Sequence, residues 1–261
     1  SGAVYTAQGG GSPLTVRLDK FNPGNFSWIS SGSVAYSSLD LSSNAVLSRD
    51  MMVDAAGNAF VAIRRAPTGL KVPDSIGILK FGPDLAFISS VSFPSLGAFD
   101  QSGVGTDGTS VFAAYTTGGA GVLAKYDMAL GVLLSSAVVP GPAGLVDLDG
   151  AGSVYVGASS TRELYRYDAS LNLISSAAAS GSGSDSMIVI QALSPDAVYA
   201  GLGRFNGTDD DWSVQRFSLQ TGGAPPPPVF TYSGSLPAGV AVNTTDNRNE
   251  NLIAVTADPG T

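Results

Sequence analysis

Short apolar stretches and polar turns alternate along the whole chain. Apolar positions recur every second residue, and Gly, Asp, Asn and Pro interrupt them at intervals of roughly 8–12 residues. No stretch has the longer periodicity of an amphipathic helix. Gly, Ser, Thr and β-branched residues dominate, whereas the good helix formers Glu and Lys are scarce. The pattern therefore predicts an all-β fold of short strands, as in a sandwich, a barrel or a propeller.

The first repeated element is a tight polar turn followed by a strand with an aromatic residue near its start. Four copies occupy residues 53–63, 105–115, 148–158 and 193–202. Their aromatic residues are Phe60, Phe112, Tyr155 and Tyr199, and Tyr5 marks an N-terminal copy. A sixth copy near the C-terminus has Ile253 in this place. Self-similarity at a period of about 40–55 residues is typical of stacked or radial repeat architectures.

Three other stretches complete the repeat. The second element has a basic residue followed by an aromatic residue or Leu, and the basic residues are Arg17, Lys80, Lys125, Arg166 and Arg216. The third element ends in a serine pair, at residues 30–31, 89–90, 135–136 and 175–176. An apolar stretch also precedes each turn. We name the strands A (before the turn), B (after the turn), C (basic) and D (serine pair); such four-stranded units are the blades of a β-propeller.

The strand count predicts a single β-propeller domain over residues 1–261 with five four-stranded blades. The blades are residues 1–31 plus 236–257, 50–91, 102–138, 144–178 and 187–233. The C-terminal strand would complete the first blade and close the ring, which removes an exposed edge. One B-like strand is then left over, at residues 4–7 or 252–256. Six blades are the alternative.

Two motifs in the repeat resemble those of known proteins. The turn and strand B follow D-x-x-G-[NS]-x-[FY]-[VA], and strand C with its turn follows [KR]-[FY]-[DG]-x-x-L. Over residues 4–256 the chain resembles bacterial β-propeller repeats of the SBBP/NHL type. The resemblance implies a propeller fold and an exported bacterial protein more than an activity. Those families usually close six or seven blades, whereas the strand count here favours five.

Composition narrows the possible chemistry. The 261 residues include no Cys and no His, which excludes disulfides, Cys- or His-ligated metals and a Ser-His-Asp triad. The formal net charge of -8 argues against nucleic acid as a partner. No apolar run approaches the roughly 20 residues that span a bilayer, so membrane insertion is not expected. A protein or a glycan is the expected ligand, and self-association is a further expectation.

Most polar residues have expected structural roles. Aspartates in the turns are expected to accept hydrogen bonds from backbone N–H groups. These are Asp54, Asp107, Asp149 and Asp196. The basic residues of strand C are expected to pair with turn aspartates such as Asp54, Asp149 and Asp168, with their stems packed on apolar neighbours. A polyanion site built from these basic residues is the less favoured interpretation.

Two loops between strands B and C hold the candidate ligand residues. The loop at residues 64–74 is long, and Arg64, Arg65 and Lys71 are candidate anion contacts. The loop at residues 204–212 offers Arg204, Asn206 and Trp212 as ligand contacts. In the same loop Asp209 and Asp211 are candidate calcium ligands, since this cation prefers carboxylate oxygens. No cofactor is expected, with calcium as the alternative, and a solvated loop is the competing interpretation.

These observations favour a binding or scaffolding module that is secreted or on the bacterial cell surface. We expect a removed signal peptide, and we predict that the protein is not an enzyme. One alternative is a surface or filament subunit that self-assembles by exchange of a terminal strand. Others are a lectin-like carbohydrate-binding propeller and a glycosidase. For the glycosidase, Asp147 and Asp149 on strand A are better candidates than Glu163, expected in a loop, or Glu250.

Overall fold

A computed structural model of the chain describes residues 3–10, 15–35, 46–65, 75–94, 102–180, 186–205, 210–219 and 230–235. The chain divides into two compact units, Ser1–Gly144 and Leu145–Thr261. Each unit is built from antiparallel β-sheets, which we number 1 to 5 in chain order. No described residue belongs to a helix long and apolar enough to cross a membrane.

The first unit contains sheets 1 to 3. Sheet 1 has three described strands: β1 (Val4–Gly10), β2 (Thr15–Phe21) and β3 (Trp28–Ala35). Sheet 2 consists of β4 (Val46–Val53), β5 (Ala59–Arg65), β6 (Ser75–Phe81) and β7 (Phe87–Pro94). Sheet 3 consists of β8 (Ser102–Thr106), β9 (Ser110–Thr117), β10 (Ala120–Asp127) and β11 (Leu133–Val139).

The second unit contains sheets 4 and 5, apart from the first two residues of β12. Sheet 4 consists of β12 (Ala143–Leu148), β13 (Val154–Ala158), β14 (Glu163–Tyr167) and β15 (Leu173–Ala178). Sheet 5 consists of β16 (Ser186–Ser194), β17 (Ala197–Phe205), β18 (Asp210–Phe217) and β19 (Phe230–Ser235). The predicted all-β class is confirmed, and the four-stranded antiparallel sheets are consistent with a β-propeller. Residues 236–257 lie outside the described residues, so the blade count and the closing strand stay predictions.

In sheets 2 to 4, aspartate side chains hold the turns between strands A and B, as predicted. In sheet 5, Asp196 accepts a hydrogen bond from the Ser218 hydroxyl at 2.7 Å. Asp107 Oδ1 accepts hydrogen bonds from the backbone N–H groups of Thr109 at 2.8 Å and Ser110 at 2.7 Å. Asp54 Oδ1 accepts one from the N–H of Asn58 at 2.8 Å. Burial raises the pKa of Asp107, but its hydrogen bonds together outweigh burial and hold the pKa below the ordinary value. The turn aspartate thus ties the end of strand A to the start of strand B.

The turns between strands C and D hold a leucine in the left-handed backbone conformation. Leu85, Leu130 and Leu171 have φ angles of 65°, 61° and 67°. Each N–H donates to the carbonyl oxygen three residues earlier. This conformation is costly for a large side chain, and packing must compensate for it. All three leucines are buried, which explains why Leu ends the strand-C motif.

Successive sheets within each unit pack face to face, and the core lies between them. Between sheets 1 and 2 the core includes Val16, Leu18, Val34, Leu79, Phe81 and Leu85. Between sheets 2 and 3 it includes Ile76, Ile78, Phe93, Val111, Ala113 and Leu130. Between sheets 4 and 5 it includes Leu164, Ala177, Met187, Leu202, Phe217 and Leu219. The turn leucines of sheets 2 and 3 therefore belong to the core shared with the preceding sheet.

One row of side chains crosses every sheet at the same register. The aromatic residue of strand B lies opposite a basic residue of strand C in the pairs Tyr5–Lys20, Phe60–Lys80, Phe112–Lys125, Tyr155–Arg166 and Tyr199–Arg216. In sheets 1 to 3 the ammonium group lies 5.3–5.6 Å from the ring centroid, within the range of a cation–π contact. On strand D the row continues with Ser30, Ser89, Ser135 and Ser175.

Two predictions about the basic residues are wrong. Lys20, and not Arg17, is the member of the row in sheet 1; Arg17 lies three residues earlier and so faces the other side of the sheet, where it pairs with Asp19 at 2.8 Å. For Lys20, Lys80 and Arg166 the acceptor in the neighbouring sheet is also a backbone carbonyl and not a turn aspartate. Lys80 Nζ donates to the backbone carbonyl of Met128, in the turn of the next sheet, at 2.8 Å. The carbonyls of these turns lie within reach because the turns pack on the preceding sheet.

Candidate binding surface on the outer strands

Strand D lies at one end of the strand order in every sheet. We call β3, β7, β11, β15 and β19 the outer strands. None of them contains a charged residue, and the first four begin with two large apolar residues followed by two serines. One side of each outer strand has no partner strand within its sheet. Among the described residues each outer strand is therefore an edge strand, and an edge strand can pair with another chain.

The apolar pairs at the start of the outer strands are largely exposed. The exposed members are Trp28, Ile29, Phe87, Ile88, Leu133, Leu134 and Leu173. In sheets 1 to 4 the register between strands C and D shifts just after the basic residue. Such a bulge leaves one residue unpaired and bends the strand. The second apolar residue of each pair is this unpaired residue, which places it outside the core.

Among the outer strands whose side chains the structure describes, β11 in sheet 3 has the largest number of exposed large apolar residues. Leu133 and Leu134 are each 52% exposed, and Val138 is 77% exposed. Val132, which directly precedes the strand, is also exposed. Single exposed apolar residues are ordinary on soluble proteins, but several on one edge strand mark an interaction site or an aggregation site. β11 is therefore the strongest candidate binding edge.

Acidic turns lie next to these apolar pairs. Asp84, Asp127 and Asp168 stand in the turns that precede β7, β11 and β15. Asp127 Oδ1 accepts hydrogen bonds from the N–H groups of Gly131 at 2.8 Å and Val132 at 3.0 Å. Hydrogen bonds from the Asn172 side chain and backbone hold the pKa of Asp168 below its ordinary value. Uncharged apolar outer strands thus lie next to turn aspartates that carry negative charge.

The predicted anion-binding residues fall at the end of a strand. Arg64 and Arg65 are the last two residues of β5, where they pair with the backbone of β4. Lys71 lies outside the described residues. The loop is therefore shorter than residues 64–74, because strand pairing continues through both arginines. Their role in ligand binding stays a prediction.

The second predicted ligand loop is also shorter than expected. Arg204 and Asp211 lie opposite each other in β17 and β18, and Trp212 belongs to β18 as well. Asn206 and Asp209 lie outside the described residues. Within the part of the chain that the structure describes, no group of three or more acidic side chains could hold a metal ion. The ligand contacts and the calcium site at this loop stay predictions.

The two aspartates proposed for a glycosidase make structural hydrogen bonds. Asp147 lies on strand A as predicted, whereas Asp149 follows the end of that strand. Asp147 accepts from the N–H groups of Leu148 at 2.9 Å and, on strand A of the next sheet, Ala192 at 2.7 Å. Asp149 is buried and accepts from the hydroxyl of Tyr155 at 2.8 Å. Burial raises the pKa of Asp147 more than the two N–H groups lower it, and the nearby Asp149 raises it further. Asp147 is thus a carboxyl group whose proton is held more tightly than usual.

The two glutamates do not strengthen the glycosidase hypothesis. Glu163 is the first residue of β14, rather than a loop residue, and accepts a hydrogen bond from the Tyr165 hydroxyl. Glu250 lies outside the described residues.

The exposed apolar pairs were not predicted from the sequence as candidate binding residues. The repeated signal was present, since a pair of large apolar residues precedes Ser-Ser in four copies. Sequence alternation alone assigns one of any two adjacent strand residues to the core. The bulge that exposes the second residue has no such sequence signature.

Solved structures similar to this chain support the propeller fold. A protein of unknown function from Bacteroides caccae is 11% identical with a TM-score of 0.54, over 89% of this chain and 73% of that one. The U3-55K structure is 7% identical with a TM-score of 0.54, over 86% and 65%. The Dos1 propeller is 10% identical with a TM-score of 0.50, over 85% and 58%. At these identities the similarity extends to the fold and not to function.

No protein-family model and no curated protein matches the chain. The β-propeller part of the predicted resemblance is therefore supported, whereas its narrower assignment to SBBP/NHL repeats stays a prediction.

The prediction that the protein is not an enzyme is corrected: catalysis is not excluded. More distant structural matches include enzymes: the glutaminyl cyclase of Myxococcus xanthus (12% identical, TM-score 0.43, over 67% of each chain) and a luciferin-regenerating enzyme (12%, 0.40, over 78% of this chain and 88% of that one). The lack of His does not exclude catalysis either. The absence of His removes imidazole chemistry alone.

Proposed function

We propose that this chain is a binding module that holds a partner protein on its outer strands, with β11 as the main contact. The observation that carries the proposal is the exposed apolar surface of β11, with Val138 77% exposed, on an edge strand without a charged residue. Monomeric proteins usually guard such edges with Lys, Pro or inward-pointing charges. The absence of charged residues recurs in all five outer strands and the apolar pair in four of them, so these features belong to the repeat and not to one irregular strand.

The partner that fits β11 is an extended apolar segment. A segment of this kind adds a strand to the edge through backbone hydrogen bonds, while its alternate side chains contact the exposed residues. Apolar contact contributes about 25 cal/mol per Å² buried. Asp127 lies in the turn at one end of the edge, and the chain carries a formal charge of -8. We therefore expect the bound segment to carry Lys or Arg beside its apolar residues.

The proposal is tested with a displayed library of random peptides selected on the purified chain. We expect enriched peptides that alternate apolar residues and carry a basic flank. Their affinity should fall tenfold or more for the variant Leu134→Lys/Val138→Lys, whose added charges lie on the edge. Ala151→Lys is the matched control, because Ala151 is an exposed small apolar residue in the turn between β12 and β13 of sheet 4, a sheet to which β11 does not belong.

Two results would contradict this function. The library could yield no enriched peptides, or peptides that bind the edge variant as well as the unchanged chain. A glycan array run in parallel separates the alternatives, because glycan binding without peptide binding favours the lectin-like interpretation. The secreted or cell-surface location and the bacterial origin stay predictions, and detection of the protein in the culture medium of its source organism would test the location.

A further inference from the structure

Strand A of sheet 3 is held by side chains from strand A of sheet 2. Asp50 Oδ2 accepts a hydrogen bond from the N–H of Val104 at 3.0 Å, and Met52 Sδ accepts one from the N–H of Thr106 at 3.0 Å. Both donors belong to β8, which lies at one end of the strand order in sheet 3. Alternate N–H groups of such a strand point away from its partner strand. The Asp50 and Met52 side chains therefore take the place of a neighbouring strand.

The two acceptors differ in strength, and the weaker one is sulfur. A carboxylate is a strong acceptor, whereas a thioether is a weak one. Met128 brings a second thioether to the same residue, since its Sδ lies 3.6 Å from Thr106 Oγ1. Its backbone carbonyl accepts the bond from Lys80 that joins sheets 2 and 3. Two of the four methionines in the chain thus meet at Thr106, in the boundary between these sheets.

The four methionines differ in their surroundings. The chain has no cysteine, so methionine is its only sulfur-containing residue. Met52 and Met128 are partly exposed, whereas Met187 is fully buried. Met51 is also partly exposed, but it faces the opposite side of β4 and packs against the core between sheets 1 and 2. An oxidant in solution can therefore reach the two sulfur atoms at Thr106.

We propose that Met52 and Met128 form a site of reversible oxidation at which the boundary between sheets 2 and 3 is weakened. Hydrogen peroxide transfers one oxygen atom to each thioether. An S–O bond forms and the O–O bond breaks, so that sulfur is oxidised by two electrons and the peroxide is reduced to water. The product, methionine sulfoxide, is polar and chiral, and specific reductases convert it back to methionine.

The geometry at Met52 explains why oxidation weakens this boundary. An N–H···O bond by itself needs about 2.7–3.2 Å between nitrogen and oxygen. Nitrogen and sulfur are only 3.0 Å apart here, so an added oxygen does not fit between them. The oxidised side chain must move back from Thr106, which disturbs its packing, or turn its oxygen away, which leaves a buried N–H without an acceptor. Both results cost stability.

The test is oxidation of the folded chain by dilute hydrogen peroxide. Tandem mass spectrometry locates each added oxygen and distinguishes Met52 from its neighbour Met51. Oxidation of Met52 and Met128 should lower the thermal midpoint by about 2–4 °C or more. It should also speed hydrogen exchange at the Thr106 N–H by about tenfold or more, because this group loses its acceptor. Treatment with both classes of methionine sulfoxide reductase should restore the two values.

Two double variants provide matched controls, because each replaces two of the four methionines. Met52→Leu/Met128→Leu removes the sulfur atoms at Thr106, so peroxide should leave its midpoint unchanged. Met51→Leu/Met187→Leu keeps them and should respond to peroxide as the unchanged chain does. Each variant is compared with its own untreated sample, so that any effect of leucine itself cancels. Far-UV circular dichroism confirms that the variants are folded, and hydrogen exchange in the unchanged chain tests the proposal without a variant.

Three outcomes would overturn the proposal. One is that Met52 and Met128 remain unoxidised at a peroxide dose that fully oxidises Met51. Another is that both are oxidised while the thermal midpoint and the exchange at Thr106 stay the same, or while the midpoint rises. The third is that Met52→Leu/Met128→Leu loses as much stability on treatment as the unchanged chain, because the effect would then arise at other residues.

Discussion

Lys80 offers the most direct measurement of what joins one sheet to the next. Its Nζ donates to the Met128 carbonyl at 2.8 Å, across the boundary between sheets 2 and 3. The same ammonium lies 5.6 Å from the centroid of the Phe60 ring. Replacement by Met keeps the apolar stem and removes both interactions. Lys80→Met therefore isolates the polar part of the contact.

The two lost interactions set the expected magnitude. A hydrogen bond from a charged donor contributes about 1.5–3 kcal/mol. A cation–π contact adds about 0.5–1 kcal/mol at a partly exposed site. Together they predict a loss of roughly 2–4 kcal/mol in the free energy of unfolding, reduced toward the lower value by the partial exposure of Lys80. A loss of about 2 kcal/mol is large against a typical stability of about 5–15 kcal/mol.

Urea unfolding followed by far-UV circular dichroism measures this loss. With a slope of about 1–3 kcal/mol per molar urea, the midpoint should fall by roughly 1 M. Lys80→Arg is the matched control, since Arg takes this position in sheets 4 and 5, and it should keep most of the stability. The reasoning is refuted if Lys80→Met changes stability by less than about 0.5 kcal/mol, the scatter of ordinary surface substitutions. It is also refuted if the arginine variant loses as much as the methionine variant.

Two further predictions concern packing and pH. A Cβ at Gly32 would lie 1.8 Å from the Leu85 carbonyl oxygen, so Gly32→Ala should lower the thermal midpoint and cost about 1–3 kcal/mol or more. A Cβ at Gly131 would have no atom within 4 Å, so Gly131→Ala should leave the thermal midpoint nearly unchanged. Equal losses of stability in the two variants would contradict the close packing at Gly32. Because burial raises the pKa of Asp147 above 3.8, the folded chain keeps this proton longer than the unfolded chain as pH rises. Urea unfolding at a series of pH values should therefore show that the stability of the wild-type chain, relative to Asp147→Asn, falls as the pH rises from 3.8 through the pKa of Asp147 in the folded chain. A stability difference that rises over this pH range would contradict the prediction.

The sequence predicts the repeat because each element carries a side-chain signal. The turn aspartate marks the end of strand A, and the aromatic residue, the basic residue and the serine pair mark strands B, C and D. The assignment failed in sheet 1, where Arg17 and Lys20 both stand before an apolar residue. Only the pairing with Tyr5 shows that Lys20 shares a face with the aromatic ring.

The acceptors of the basic residues could not be predicted in the same way. Lys80 donates to the carbonyl of Met128, and Lys20 to that of Pro83. A backbone carbonyl is present at every residue, so it leaves no mark in the sequence. Aspartates can be identified in the sequence, so they were predicted as the acceptors. The exposed apolar residues of the outer strands could not be predicted from the sequence either, because the exposure of a residue such as Leu134 depends on a bulge between strands.

The left-handed leucines bear on the order in which the chain folds during synthesis. Leu85 packs beneath sheet 1 and Leu130 beneath sheet 2, so each strained turn depends on the sheet that comes before it. Translation proceeds from the N-terminus, and earlier segments leave the ribosome first. Each of these turns therefore emerges when its supporting surface has already been made. Moving the same turn ahead of its support, by circular permutation, would leave its leucine without cover until the rest of the chain arrived.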